Sequence, residues 1–169
     1  TNIISITGSC GKTTLKELLG NVLSKISKVS ISPKSYNNKF GVPLSLFNIK
    51  QNDEFGILEV GMDKKGEINY LSKIIQPDVG VITNINYAHV KNFKNIKQIA
   101  LAKSEIINNI KPCGFIVLNS DDSFFELHKK IAKEKNLNVI SFGIESKKAD
   151  VKLINLEPFE KKFRINISL

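Results

Sequence analysis

Short apolar runs alternate along the chain with longer segments whose apolar residues recur at helical spacing. NIISIT, residues 2–7, is a β-branched run closed by Gly8 and reads as a buried strand. Residues 12–26 carry Leu15, Leu18, Leu19, Val22, Leu23 and Ile26 at helix spacings, which predicts a helix. A short strand is expected over 28–31, a loop over 33–38 and a short helix over 42–49. FGILEV, residues 55–60, reads as a strand ended by Gly61; residues 66–75 read as a helix stopped by Pro77; VGVIT, residues 79–83, reads as another strand. A longer helix is predicted over 96–110, with Ile99, Ala102, Ile106 and Ile110 on one side and Pro112 and Gly114 beyond its end. A strand over 115–118, a helix over 123–135 and a strand over 138–142 continue the alternation. This order predicts an α/β fold, a P-loop (Rossmann-like), mostly parallel sheet with helices on both faces. The tail differs: residues 151–156 and 163–169 are strand-like, with Pro158 between them, and fit an antiparallel hairpin at the sheet edge.

Composition narrows the class. With 169 residues, 41% hydrophobic and 24% charged, the chain has room for one domain with its own core and is neither disordered nor fibrous. No apolar run approaches the roughly 18 residues of a membrane span, and the start carries no signal-peptide pattern, so no membrane insertion is expected. Cys10 and Cys113 lie far apart, with no metal-ligand spacing and no disulfide framework, which makes a reducing cytoplasm the expected location. The net charge of +9 raises nucleic-acid binding as a function. However, Arg164 is the single arginine among 25 basic residues, and arginine is the residue suited to bidentate phosphate and base contacts. Lys, Asn and Ile share A/T-rich codons, a plainer source of the charge, and no specific nucleic-acid partner is expected. The only methionine is Met62, so the chain lacks an initiator and is expected to be a fragment of a longer protein.

The strongest local signal is Thr7-Gly8-Ser9-Cys10-Gly11-Lys12-Thr13-Thr14. A buried strand enters a glycine-bearing turn, and a helix starts at Lys12. Backbone amides of such a turn converge, and the helix start adds partial positive charge, so the segment from Gly8 to Thr14 is a candidate phosphate cradle. Lys12 would reach the β- and γ-phosphates and the Thr13 hydroxyl would sit on Mg²⁺. The loop is shorter than the common pattern, which has a glycine where Ile6 stands, and a plain strand-to-helix turn is the alternative.

Onward from this loop the chain resembles the Mur ligases, ATP-dependent amide-bond ligases of peptidoglycan precursor synthesis. The resemblance is carried by the phosphate loop, by Asn37-Asn38-Lys39-Phe40-Gly41-Val42-Pro43-Leu44, by Glu59-Val60-Gly61-Met62 with Lys65-Gly66-Glu67-Ile68 after it, by Thr83-Asn84-Ile85-Asn86-Tyr87-Ala88-His89, by Ala102-Lys103-Ser104-Glu105-Ile106 and by Asn119-Ser120-Asp121-Asp122. These segments stand in family order. The Asn-Asn and Gly-Glu-Ile variants are most like the D-alanyl-D-alanine-adding branch.

The resemblance implies a carboxylate activated by ATP to an acyl phosphate and then attacked by an amine. It implies ATP and two Mg²⁺ ions as cofactors, and as partners a UDP-MurNAc-peptide and an amino acid or dipeptide. It assigns Thr13 and Glu59 to one metal and His89 to the second. Lys103, fourteen residues after that histidine, would be carbamylated and join the second metal; without the resemblance it is one helix-face lysine among many. Asn37 and Asn38 would meet substrate. Lys91 stands where the family often has an acidic residue, and His128 gets no support and is expected to be structural. The whole chain, residues 1–169, would be the central ATP-binding domain of a three-domain ligase, with an N-terminal UDP-binding and a C-terminal domain outside it. Another ligase of this superfamily, such as a folylpolyglutamate synthase, and a non-catalytic nucleotide-binding module are the rival readings.

Overall fold

The computed structural model describes residues 1–87, 92–160 and 162–169. Eight strands form one sheet: β1 (Asn2–Thr7), β2 (Val29–Ile31), β3 (Phe55–Glu59), β4 (Val79–Ile82), β5 (Phe115–Asn119), β6 (Asn138–Gly143), β7 (Val151–Phe159) and β8 (Lys162–Ser168). Their spatial order is β2-β3-β1-β4-β5-β6-β7-β8. The pairs from β2 to β7 are parallel and the β7–β8 pair is antiparallel, as the alternation and the tail predict. The helices are α1 (Lys12–Leu23), α2 (Gly41–Phe47), α3 (Glu67–Ile75), α4 (Ile96–Ser104) and α5 (Phe125–Glu134).

Strand residues alternate between two faces. Ile3 of β1 and Leu58 of β3 join the larger core, with Ile68 and Leu71 of α3, Ile99 of α4 and Ala132 of α5. Ile6, Ile57 and Val81 point the other way and pack with Leu15, Leu19 and Leu23 of α1. Helices therefore lie on both faces, unequally.

Three local readings are corrected. The helix expected over 12–26 ends at Leu23, so Ile26 lies in the turn beyond it, 78% exposed, while Leu18 and Val22 of α1 fit the helical pattern yet are 57% and 60% exposed. One stripe of a helix lying on a sheet meets it, and these two lie off that stripe. The helix expected over 96–110 is α4 followed by a 3₁₀ turn, Glu105–Asn109. Such tightening is common at a helix C-terminus, and the chain turns extended at Ile110, ahead of Pro112. Pro158 lies inside β7, opposite Phe163, rather than between the strands. β6 pairs only with Val151 and Lys152, so β7 has a free edge there that tolerates a residue without an N–H.

Parallel order brings the carboxyl ends of β1, β3 and β4 to one edge, where the connection after β1 runs to β2 on one side and that after β3 crosses to β4 on the other. Ligands of open α/β sheets bind at such a point. Among the described residues, no helix is long and apolar enough to cross a membrane.

Candidate phosphate and metal site

The loop after β1 is shaped by two glycines. Gly8 has φ +147°, and a Cβ there would collide with the side chain of Thr83 at the end of β4. Gly11 is left-handed, φ 79°, and forms the N-cap of α1 with no side-chain cap. The amides that a helix start leaves without intrahelical partners thus open onto the loop.

The segment after β4 holds the loop from the other side. Ser9 N donates to the Asn84 carbonyl at 2.9 Å, and Cys10 N to Asn84 Oδ1 at 3.0 Å. Asn84 Nδ2 and Thr83 Oγ1 donate to the Cys10 carbonyl at 3.2 and 2.7 Å. Ser9 Oγ donates to the Asn86 carbonyl at 2.9 Å and accepts from Asn86 N at 2.8 Å. Asp122, beyond β5, accepts from Ile85 N at 2.6 Å. The Cys10 thiol is exposed, and what the fold uses of this residue is its backbone.

Two ammonium groups converge on one oxygen. Lys12 Nζ donates to the Gly8 carbonyl at 3.0 Å and Lys103 Nζ to the same carbonyl at 2.9 Å. Lys103 comes from α4 and is 1% exposed. Burial, and then the neighbouring charge of Lys12, lower its pKa from 10.5 to about 7, with Cys10 acting in the opposite direction. Ser5 and Thr7, on the strand that leads into Gly8, carry buried hydroxyls without a hydrogen-bond partner among the described residues.

Glu59 ends β3 and is 2% exposed. Its Oε2 accepts from Thr13 Oγ1 at 2.7 Å and its Oε1 from Asn37 Nδ2 at 2.8 Å. Both partners are neutral, and among the described residues no salt bridge to Glu59 is found. A buried carboxylate beside a hydroxyl, without a cation of its own, is a hard-oxygen donor set that suits Mg²⁺. Among the described residues no group of three or more His, Cys, Asp or Glu side chains forms a metal cluster. His89 and Lys91 lie outside the described residues.

A cleft of about 760 Å³ adjoins this edge, lined by Lys12, Asn37, Asn38, Lys39 and the segment from Gly61 to Glu67 among others. It lies beside the phosphate loop rather than on it. Asn37 and Asn38 share its wall but differ in use. Asn37 is engaged with Glu59, whereas Asn38 Oδ1 accepts from Phe40 N and Gly41 N, both at 3.0 Å, and starts α2. His128 is buried and its Nε2 lies 3.1 Å from the Ala100 carbonyl of α4, a structural contact.

Sequence reasoning brings Gly8, Ser9, Cys10, Gly11, Lys12, Thr13, Thr14, Glu59 and Lys103 together, and the fold places them at one sheet edge. It gives no role to Lys16, or to Asn84 and Glu105, although these two stand inside segments that carry the resemblance. Lys16 is wholly buried on α1, with its Nζ donating to the carbonyls of Ser32, at 2.6 Å, and Lys34. Glu105 accepts from Gly66 N, at 2.8 and 3.0 Å from its two oxygens, and from Asn69 N at 3.1 Å, capping α3 from another helix. A charged residue on the sheet-facing side of a helix is a signal for Lys16; the other two depend on contacts distant in sequence.

The chain matches the family described as Mur ligase middle domain over residues 6–168. It is 41% identical over 146 residues to the UDP-N-acetylmuramoyl-tripeptide–D-alanyl-D-alanine ligase of Buchnera aphidicola, covering 86% of this chain and 32% of that protein. Among solved structures it is similar to MurF of Acinetobacter baumannii, with a TM-score of 0.89 and 34% identity, covering 98% of this chain and 36% of that one. MurF of Thermotoga maritima, solved in complex with ADP, gives a TM-score of 0.86 at 32% identity, covering 98% and 38%. The chain spans about a third of the length of the curated relatives it matches.

Proposed function

Because the chain belongs to the Mur ligase middle-domain family, we propose that it is the ATP-binding central domain of a three-domain, cytoplasmic ligase that adds D-alanyl-D-alanine to UDP-MurNAc-tripeptide. The observation that carries this is the meeting of the Gly8–Thr14 loop, the Thr13–Glu59 pair and buried Lys103 at one sheet edge. The ligase names of its relatives and the ADP bound by the Thermotoga protein point the same way.

The reaction transfers the γ-phosphate of ATP to the peptide carboxylate. The amine of the incoming dipeptide then attacks the acyl phosphate and inorganic phosphate leaves. Both steps gather negative charge on oxygen, so fixed donors and cations carry much of the work. The loop amides from Gly8 to Thr14 hold the phosphates, and Lys12 swings from the Gly8 carbonyl to the β- and γ-phosphates. Thr13 and Glu59 would hold Mg²⁺, which would supply charge neutralisation for the phosphates. Lys103, its amine close to half neutral near pH 7, would add CO₂ through its nitrogen, release a proton to solvent and, as the carbamate anion, hold a second Mg²⁺ together with His89. Asn37 and Asn38 line the cleft where the acceptor peptide enters.

Calorimetric titration with ATP and Mg²⁺ tests the nucleotide reading. The wild-type chain binds, and Lys12→Ala weakens binding by roughly tenfold or more, as expected for a lost charge-assisted contact. Equal affinity in both proteins would refute the phosphate-loop assignment.

A further inference from the structure

Lys16 has no place in the chemistry above, yet it is among the most buried side chains of the molecule, 0% exposed. Burying an ammonium is costly unless its donors are satisfied. Its Nζ donates to the Ser32 carbonyl at 2.6 Å and to the Lys34 carbonyl, and meets Glu17 Oε1 at 3.1 Å. Two hydrogen bonds and one ion pair thus compensate the buried ammonium.

The two carbonyls belong to the chain leaving β2. Lys34 is left-handed, φ 48°, which is unfavourable for a side-chain-bearing residue. Three residues later the same loop delivers Asn37, whose Nδ2 holds Glu59 Oε1 at 2.8 Å and whose carbonyl accepts from Gly61 N at 2.8 Å. Ser32 is tied to β3 as well: its N donates to the Ile57 carbonyl at 2.9 Å and its Oγ accepts from Glu59 N at 3.3 Å. A closed circuit results. Thr13 and Lys16 stand about one turn apart on α1. Thr13 holds one oxygen of Glu59 directly, and Lys16 holds the loop that grips the other.

We propose that Lys16 is a positioning residue, which fixes loop 32–37 so that Asn37 orients the Glu59 carboxylate toward the metal side of the phosphate loop. The metal half of this statement rests on the reading of Glu59 given above; the loop half does not.

The test uses the 169-residue chain with Lys16→Met, which keeps length and removes the donors, and Lys16→Gln in parallel, read by the same signals, for the case that the methionine variant does not fold. Ile107→Ala, in the far core, serves as a destabilised control. The first readout needs no ligand. The side-chain amide resonances of Asn37, assigned with Asn37→Ala, are displaced and slow to exchange in the wild type. They move to the positions of a solvated amide in the Lys16 variants and stay in place in Ile107→Ala. The second readout is ATP affinity with Mg²⁺ and with EDTA. Mg²⁺ tightens binding in the wild type, and the Lys16 variants lose on the order of tenfold of that gain while binding metal-free ATP as before. Unmoved Asn37 signals in folded Lys16 variants overturn the proposal, as does an equal loss of affinity with and without Mg²⁺. A wild type that binds no nucleotide overturns the reading of Glu59 instead, and the amide signals still decide whether Lys16 fixes the loop.

Discussion

At the scale of single residues, the Gly8 carbonyl is where the charges of the site meet. It accepts from Lys12 and Lys103 together, and two ammonium groups on one oxygen repel each other. The buried partner yields: Lys103 loses its proton at about 7, mainly through burial. The sign for carbamate formation follows. CO₂ adds to the neutral amine, which predominates above that pKa, and the ammonium below it does not react. At pH 8 about nine tenths of the amine is neutral and at pH 6 about one tenth. With ¹³C-labelled bicarbonate, the wild-type chain is expected to show a carbamate carbon resonance at pH 8 that fades toward pH 6. Lys103→Met lacks it at both. A carbamate signal of equal strength in Lys103→Met would place the reaction on another lysine. The loop, Glu59 and Lys103 were legible in the sequence because each lies within a short motif. Lys16 was not, because periodicity counts apolar residues and a buried lysine on α1 counts as polar. Asn84 and Asp122 stand inside segments that carry the resemblance, yet their roles were not legible, because their partners in the site lie 74 and 37 residues away.

At the scale of elements, the alternation of strands and helices was readable throughout, and the departures occur where one element serves another. The helix expected through 110 tightens after Ser104 into the 3₁₀ turn that carries Glu105. α3 begins at Gly66, which is left-handed and offers no side-chain cap, and Glu105 supplies the acceptor instead. The α4 segment that presents Lys103 is thereby locked to the N-terminus of the helix beside the cleft. Removing the carboxylate leaves amides at the start of α3 unpaired and takes one of two negative charges, the other being Glu67, from the helix N-terminus. Glu105→Ala is expected to lower stability by about 2 kcal/mol, the range of a lost cap with charge-assisted hydrogen bonds. Urea unfolding checks this, with the slope unchanged and the midpoint lowered. A midpoint equal to that of the wild type would show that α3 does not depend on its distant cap.

At the scale of the whole molecule, the sheet, the phosphate loop and the Thr13–Glu59 pair are internal to these 169 residues, so in our reading the chain is expected to fold and to hold nucleotide. Ligation asks for more. The phosphorylated carboxylate, the amine and the metals must be held in near-attack geometry, and positioning of that kind is worth about 7–11 kcal/mol of barrier. The cleft adjoins the loop, and the chain spans about a third of its relatives' length. In our reading, the groups that complete the site sit on the flanking domains, whose closure also excludes water. The isolated chain is therefore expected to bind ATP, with at most slow hydrolysis, and to make no amide. The assay combines phosphate release with mass detection of product, using UDP-MurNAc-tripeptide and D-alanyl-D-alanine. Ligation by this chain alone at a rate typical of enzymes, on the order of 1 s⁻¹ or faster, would mean that the cleft between Asn37 and Glu67 already contains a complete acceptor site.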